Sequence, residues 1–306
     1  MNFKFYKNRR IFFGISIFII LAGIVSSFIF GIKLDIQFQG GSIVRYTYVG
    51  TLDNEKVKAA AEKAIGVPIS SIQENESASS KSIAINVAGT SALTIEQTTA
   101  LRAALTSADF KDNAFTFSEA TLVAPSIGAE YLRKGLYALL IASILIVIYI
   151  WFSFRTMSGP SAGVMALVAL LHDVVIVFVA FVLLRIPLNE SLIAVVLTII
   201  GYSTNDTIVI YDRIRENLRL QNGKMPLIDL VDSSVNQTMA RTINTSAMTF
   251  GAVTIAYIFA AIYGIRSIQE FALPMMIGII SGFYSTVFIA SPLWITWKTR
   301  GGRTGL

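Results

Sequence analysis

The chain contains no cysteine, and His172 is the one histidine among its 306 residues. Disulfides, thiolate chemistry and cysteine-bound metals are therefore excluded, and a metal centre built from histidines is disfavoured. Charged residues are also scarce at 14%, whereas 54% of the residues are hydrophobic. Several apolar runs approach or exceed about 18 residues, which is enough for a membrane-spanning helix. The composition predicts a multi-pass membrane protein.

Familiar catalytic patterns are missing as well. The sequence has no G-x-x-x-x-G-K-[ST] for nucleotide phosphates, no G-x-S-x-G and no H-E-x-x-H. Gly40 and Gly41 interrupt a strand pattern, which predicts a β-bulge or a close approach of two backbones and not a phosphate cradle. We therefore expect a protein that is not an enzyme and that uses no cofactor and no metal.

The net charge of +6 is distributed unevenly. Residues 32–134 carry ten Lys and Arg against eleven Asp and Glu, so the basic excess lies in the apolar helices, short loops and tails. This distribution follows the positive-inside rule, which relates basic loops to the cytoplasmic face of a membrane. The charge therefore predicts an orientation in a membrane and gives no reason to expect a nucleic-acid partner.

Six membrane spans are predicted, over residues 11–31, 136–154, 163–184, 188–211, 242–263 and 271–297. The first apolar run is too long for a signal peptide and has no Ala-x-Ala-like site, so we expect an uncleaved helix, with a cleaved signal as the alternative. If both termini are cytoplasmic, thirteen Lys and Arg lie in the cytoplasmic segments 1–10, 155–160, 212–241 and 298–306. Only Arg185 and Arg266 lie in the short loops of the other side.

Residues 32–134 are the one stretch with the pattern of a water-exposed domain. Strand candidates lie at 36–49, 69–74, 82–87 and 114–123, and helical patterns at 54–65 and 94–106. The order β-α-β-β-α-β is that of a ferredoxin-like fold. We predict an all-α bundle of six spans with one extracytoplasmic α+β domain, divided as 1–31, 32–134, 135–297 and the tail 298–306.

The fourth span carries the most informative side chain, Asp206. A carboxylate inside a membrane helix costs roughly 2.5–3.5 kcal/mol on insertion scales, so it is expected to have a use or a partner. Helical spacing places Asp206 with Thr198, Tyr202, Ser203 and Arg213 on one polar stripe that should face other helices. Two interpretations remain open: a structural hydrogen bond to a neighbouring helix, or a group that alternates between charged and neutral forms.

Two more polar features lie in the spans. His172 and Asp173 are adjacent in the third span, and because neighbours on a helix point about 100° apart, we expect no simple facing pair. Arg241 opens the fifth span on a face shared with Thr245, Thr249 and Ala252. Arg241 is either the fixed counter-ion of Asp206 or an ordinary basic anchor at the membrane surface.

Five stretches in the same order resemble the SecF family of bacterial protein-export membrane proteins. They are LDIQFQGGS, PSIGAEYLRKGLYALLIASILIVIYIWFSFR, LLHDV, GYSTNDTIVIYDRIRENLR and RTINTSAMT, which together extend over nearly the whole chain. One departure is visible, since Gln37 stands where the family usually has an acidic residue. Any role that rests on charge at that position is in doubt.

The resemblance implies a fold like one half of a resistance-nodulation-division transporter in the bacterial cytoplasmic membrane. It implies pairing with SecD, and assistance to the Sec channel and SecA in moving unfolded polypeptides outward with the proton motive force. Carried over by position, the proton-relay aspartate matches Asp206 and the fifth-span arginine matches Arg241. Asn205 and Asp173 match further motif positions. The alternatives are a half-transporter for small molecules and a passive assembly subunit.

Overall fold

The computed structural model describes residues 3–77, 80–89, 93–123, 125–155, 159–221 and 224–300. Six helical stretches in it are long and apolar enough to cross a membrane, as predicted. They are α1 (Arg9–Phe30), α5 (Pro125–Ser153), α6 (Gly159–Leu183), α7 (Glu190–Gln221), α8 (Leu227–Ile262), and a final span made of α9 (Arg266–Ser285), a π-helical turn (Thr286–Ala290) and α10 (Ser291–Arg300). The last six residues of the predicted tail, 301–306, lie outside the described residues.

Two boundaries differ from the prediction. The second span begins at Pro125, so ten residues that were assigned to the α+β domain already belong to α5. The fifth begins at Leu227, so residues 227–241 of the predicted cytoplasmic segment are helical. The start of this helix was not predicted because the segment is rich in polar residues, although Leu230, Val231 and Val235 are buried at helical spacing. The residues after Asp212 continue α7 as far as Gln221, as their helical spacing of charges predicts.

The α+β domain contains one antiparallel sheet and two covering helices. Its strands are β1 (Gly41–Tyr48), β2 (Ile69–Ser77), β3 (Ser80–Ala88) and β4 (Thr116–Val123), and its helices are α3 (Asn54–Ile65) and α4 (Ile95–Leu105). The sheet order is β2-β3-β1-β4, and all neighbours are antiparallel. Asp53 caps α3, and Thr94 with Gln97 forms a capping box on α4. The predicted order of elements is confirmed.

The prediction of one strand over 36–49 is wrong at its beginning. Ile36–Gln39 forms a short helix, α2, and the strand starts at Gly41. Gly40 and Gly41 have φ angles of 80° and 145°, which let the chain turn between the two elements. A Cβ atom on Gly41 would lie 2.2 Å from the carbonyl oxygen of Val87. The predicted close backbone approach is therefore present.

Two connections join the α+β domain to the helical bundle. The segment before α2 pairs with the loop between α6 and α7: Asp35 donates its amide to the Leu188 carbonyl at 3.0 Å, and Leu188 donates to Lys33 at 2.8 Å. At the other end, a single residue separates β4 from α5. The domain is thus tied to the bundle at these two points and also through Arg266 of α9, which donates to the Ile72 carbonyl of β2 at 3.0 Å.

The bundle places α6, α7 and α9 at its centre, whereas most side chains of α1, α5 and α8 in their apolar stretches are exposed. Close packing of α7 on α9 depends on two glycines. A Cβ atom on Gly278 would lie 2.6 Å from Ile199, and one on Gly282 would lie 3.2 Å from Ser203. Small residues at a helix crossing permit such an approach. This crossing brings the polar groups of the two helices together.

Candidate functional site

Asp206 lies on the part of α7 that packs inside the bundle, with only 2% of its surface exposed. Its neighbour three residues earlier, Ser203, is fully buried, whereas Thr198 is exposed. The predicted polar stripe therefore faces other helices at Ser203 and Asp206 but not at Thr198. Burial of the carboxylate arises because the flanking residues, including Ile199 and Ile210, bury the same side of α7.

The surroundings of Asp206 are contributed mainly by α8. The Ser246 hydroxyl and the charge of Arg241, both on α8, act on the carboxylate. Tyr202, one turn before Asp206, donates its hydroxyl to Ser246 Oγ at 2.9 Å. Asp206 Oδ2 is buried and has no hydrogen-bond partner among the described residues. A buried carboxyl oxygen without a hydrogen-bond partner is uncommon in folded proteins.

Arg241 is near enough for its charge to act on Asp206, but it forms no ion pair with it among the residues that the structure describes. The Arg241 side chain is exposed on α8. This arrangement leaves the predicted counter-ion available but unengaged. The role of Arg241 as a partner of Asp206 stays a prediction.

Asp173, in contrast, is fully buried and well supplied with donors. Ser281 Oγ donates to its Oδ1 at 2.6 Å, and Ser203 and Ser285 donate to its Oδ2 at 2.8 and 2.7 Å. The three hydroxyls come from α7 and α9, so the carboxylate joins three helices. An ionised carboxylate accepts several hydrogen bonds, and this environment satisfies one.

The expectation that His172 and Asp173 do not meet is wrong. His172 Nδ1 lies 3.2 Å from Asp173 Oδ1. Side chains on a helix generally lean toward its N-terminus, so the 100° between neighbouring Cβ directions need not separate their polar atoms. The His172 ring also stacks on Tyr284, with 6.0 Å between centroids. The Tyr284 hydroxyl donates to the Phe12 carbonyl at 2.7 Å, which extends the network to α1.

A short chain of hydrogen bonds runs from Asp173 to the residue that follows Asp206. Ser203 binds Asp173 through its hydroxyl, and its carbonyl accepts a hydrogen bond from Thr207, next to Asp206. Thr207 Oγ1 also lies 3.0 Å from Thr286 Oγ1, at the first residue of the π-helical turn. Such turns are frequent at functional sites, since they displace one residue from the regular helix. The site therefore includes a local irregularity in the last span.

Asn205 does not join the buried network. It is exposed on α7, on the same side as Gly201, where a Cβ atom would meet nothing within 4 Å. On α8, Arg241, Asn244 and Met248 are also exposed. The structure thus brings Asp206 and Asp173 into the bundle and leaves Asn205 and Arg241 on its uncovered side.

The two carboxyl groups differ in their surroundings. Asp173 has four polar contacts, whereas Asp206 has an oxygen without a hydrogen-bond partner among the described residues. Ser246, Ser281 and Ser285 were not predicted from the sequence. Ser246 shares the fifth-span motif with Arg241, but the two serines of α9 become identifiable only when α6 and α9 are known to pack together. No group of three or more metal-binding side chains occurs within the described ranges.

Comparisons with known proteins agree with this architecture. Residues 102–300 match the family of protein export membrane proteins SecD/SecF, C-terminal part. The chain is 34% identical to the protein translocase subunit SecF of Alicyclobacillus acidocaldarius, over 98% of this chain and 94% of the relative. It is 32% identical to the protein translocase subunit SecDF of Bacillus subtilis, over 98% of this chain and 38% of the relative.

A solved structure of SecDF, a translocon-associated membrane protein from Thermus thermophilus, superposes with a TM-score of 0.78 and 28% identity. The match covers 97% of this chain and 39% of that one. A second SecDF structure, in a super-membrane-facing form, gives a TM-score of 0.72 at 28% identity. The chain therefore spans about two fifths of the length of the SecDF proteins and nearly the full length of separate SecF subunits.

Proposed function

This chain belongs to the SecD/SecF family of protein-export membrane proteins, and from that premise we propose that it is an accessory subunit of the Sec export machinery. Together with SecD it couples the proton motive force to late steps of preprotein translocation across the cytoplasmic membrane. The observation that carries the coupling is the buried Asp206, whose Oδ2 has no hydrogen-bond partner among the described residues. Its relatives are translocase subunits, so we expect no enzymatic chemistry and no cofactor.

Protonation of Asp206 is the proposed switch. In the neutral form the acid is suited to its apolar surroundings, and on losing its proton it attracts the Arg241 guanidinium and the Ser246 hydroxyl on α8. Repeated protonation would thus alternately loosen and tighten the contact between α7 and α8. Each charge that crosses a potential of 100 mV supplies about 2.3 kcal/mol, so a few protons suffice to shift two bundle states that differ by a few kcal/mol.

The α+β domain is the proposed moving part. We propose that it has the ferredoxin-like fold and lies on the extracytoplasmic side, with both termini in the cytoplasm. The antiparallel order β2-β3-β1-β4 supports the fold, because it is the order of a split β-α-β unit. The basic segments on the opposite side of the bundle support the orientation. Rearrangement of α7 and α8 would turn this domain toward or away from the exported polypeptide.

SecD is the proposed partner on the uncovered side of α7 and α8. Asn205 and Arg241 are exposed there within apolar helices, and a polar side chain that faces lipid is costly. A second bundle that covers this side would shield both residues. The fusion of two halves in SecDF relatives supports such an arrangement. Asn205 then acts at the junction, and the Sec channel, SecA and the exported chain contact the assembly elsewhere.

Export by rescued cells tests this proposal. A strain that lacks its own SecF would express this chain with SecD, as wild type, as Asp206→Asn or as Asp212→Asn, at equal membrane abundance. Asp212 is the matched control, since it lies six residues later on α7, is 57% exposed and pairs with Arg215. Translocation of a preprotein is followed with and without a proton gradient.

We expect gradient-dependent export with wild type and Asp212→Asn, and loss of it with Asp206→Asn. Equal rescue by all three would identify a passive assembly subunit. Failure of export by all three, together with changed tolerance to small toxic molecules, would favour a half-transporter.

A further inference from the structure

A cavity of about 220 Å³ lies between the α+β domain and the bundle, away from the two acids. Its floor is the loop between α6 and α7 and the start of α9, and its roof is α3 and β2. The polar and charged lining residues include Lys33, Lys58, Arg185, Arg266, Glu55 and Glu270. The cavity therefore has four cationic side chains against two carboxylates.

The charge of Arg266 acts on Glu270 and that of Glu55 on Lys33, but carboxylates are fewer than cations around the cavity. None of the four cations forms an ion pair with a carboxylate among the residues that the structure describes. Burial lowers the pKa of Lys33, and the charges of Arg185 and Lys58 lower it further. Glu270 is already engaged, because Asn189 donates to its Oε2 at 2.9 Å. The cavity thus holds repelling positive charges that an anion would relieve.

Arg185 has a backbone conformation that is usually found at glycine. It has a φ angle of 59° directly after the end of α6, where Ile186 donates to Phe181 at 3.0 Å and Arg185 to Val182 at 3.2 Å. These two hydrogen bonds form a Schellman motif, whose left-handed residue is usually glycine. A strained non-glycine residue of this kind is a mark of functional sites. In this protein the residue in that conformation is Arg185, whose side chain lines the cavity.

The cavity lies where helices long enough to cross a membrane end or begin, on the side of the α+β domain. α1 ends at Phe30, α6 ends at Leu183, and α9 begins at Arg266, so three helix ends surround it. Next to Lys33 and Arg185 in the chain, large apolar side chains are exposed, namely those of Phe30, Ile32, Leu183 and Leu184. A basic recess beside exposed apolar side chains matches a headgroup joined to an acyl chain better than a free anion.

We propose that this cavity binds the phosphate of an anionic phospholipid from the leaflet on the domain's side, with Arg185 and Arg266 as the main ligands. Arginine presents several donors in a planar fork that suits phosphate oxygens. Each of the two guanidinium groups also binds a backbone carbonyl, Arg185 that of Phe30 and Arg266 that of Ile72 at 3.0 Å, which fixes its orientation. The lipid would lie between the domain and the bundle, in contact with both.

Native mass spectrometry of the purified full chain in detergent tests the site. Phosphatidylglycerol, the zwitterionic phosphatidylcholine and inorganic phosphate are added separately, and phosphate is also added as a competitor of the glycerolipid. The variants are Arg185→Gln with Arg266→Gln, and Lys33→Gln with Lys58→Gln in case the first pair fails to fold. Arg133→Gln is the matched control. Arg133 is exposed near the start of α5, on the side of the α+β domain, and it does not line the cavity.

We expect wild type and Arg133→Gln to retain one phosphatidylglycerol at least fivefold more often than phosphatidylcholine, and both double variants to lose that preference. Three results would overturn the proposal. Equal retention of the two lipids would show no headgroup site, displacement of the lipid by millimolar phosphate would show a free-anion site, and an unchanged preference in the folded double variants would place the lipid elsewhere.

Discussion

The hydroxyl of Ser203 on α7 donates to the carboxylate of Asp173 on α6 at 2.8 Å, three residues before Asp206 on the same helix. Asp173→Asn would replace one of the two carboxyl oxygens by an NH2 group, so either Ser281 or both Ser203 and Ser285 would lose their acceptor. Hydrogen bonds to charged groups contribute roughly 1.5–3 kcal/mol each, and the hydroxyls have alternative acceptors, so we expect a net loss of about 3 kcal/mol. Thermal unfolding of the detergent-solubilised chain measures this loss.

Asp206→Asn is the matched comparison, because it makes the same substitution at a carboxyl group whose Oδ2 has no hydrogen-bond partner among the described residues. It should leave stability unchanged within about 1 kcal/mol or raise it. Equal destabilisation by the two substitutions would contradict the difference between the two acids.

Arg241 should act through its charge more than through its shape. It forms no ion pair with Asp206 among the described residues, yet its charge acts on that carboxylate. Arg241→Lys is therefore expected to keep gradient-dependent export at a reduced rate, and Arg241→Gln to abolish it. The rescue assay described above, at equal membrane abundance, distinguishes them. If lysine were as inactive as glutamine, the planar guanidinium itself would be needed.

Gly41 should be intolerant of any side chain. Gly41→Ala would add a Cβ atom 2.2 Å from the Val87 carbonyl oxygen at a φ of 145°, and we expect a loss of about 3 kcal/mol or more. Gly66→Ala is the control, because Gly66 also has a positive φ but nothing within 4 Å of an added Cβ. Gly66→Ala should lower the free energy of unfolding by only about 1–2 kcal/mol. Limited proteolysis of the α+β domain across a denaturant series compares the two, and similar losses would argue against the clash.

Lys33 should make the free energy of unfolding rise with pH, whereas a lysine with a raised pKa makes it fall. Its pKa in the folded chain is below its ordinary value of 10.5, chiefly because of burial and then because of Arg185 and Lys58. The fold therefore disfavours the charged form, so stability is reduced below the folded pKa and recovers as the pH rises toward 10.5.

Lys33→Met is accordingly expected to raise the melting temperature at pH 7.5 in detergent without lipid, and to lose this advantage near pH 10.5. Differential scanning fluorimetry at the two pH values measures the change. A lower melting temperature at pH 7.5 would show that the lysine charge stabilises the fold.

Much of the architecture is readable from the sequence because it depends on local patterns. Six apolar runs, the alternation of β1 and the cap signals of α3 and α4 each specify an element within a short window. The burial of Asp206 was also predictable, since it follows from its place among apolar residues. The partners of Asp173 were not, because Ser281 and Ser285 lie more than one hundred residues away and meet it only through the packing of α9 on α6.

The errors have a similar origin. The N-terminal half of α8 is amphipathic and buries one stripe of residues against other helices. Because its remaining residues are polar, its composition resembles that of a loop. Ile36–Gln39 alternates like a strand, but the two glycines after it reverse the chain and the segment packs as a helical turn. The contact of His172 with Asp173 depends on side-chain rotamers, which the spacing of residues along a helix does not determine.

The junction of β4 with α5 has a mechanical consequence. A single residue separates the last strand from a helix of 29 residues, so little slack is available between them. The second tie, at Leu34 and Leu188, lies close to this junction, because Gly41 at the start of β1 pairs with Val123 at the end of β4. Both connections are thus at the same end of the two central strands. We therefore expect a change in the tilt of α5 to turn the domain about this end.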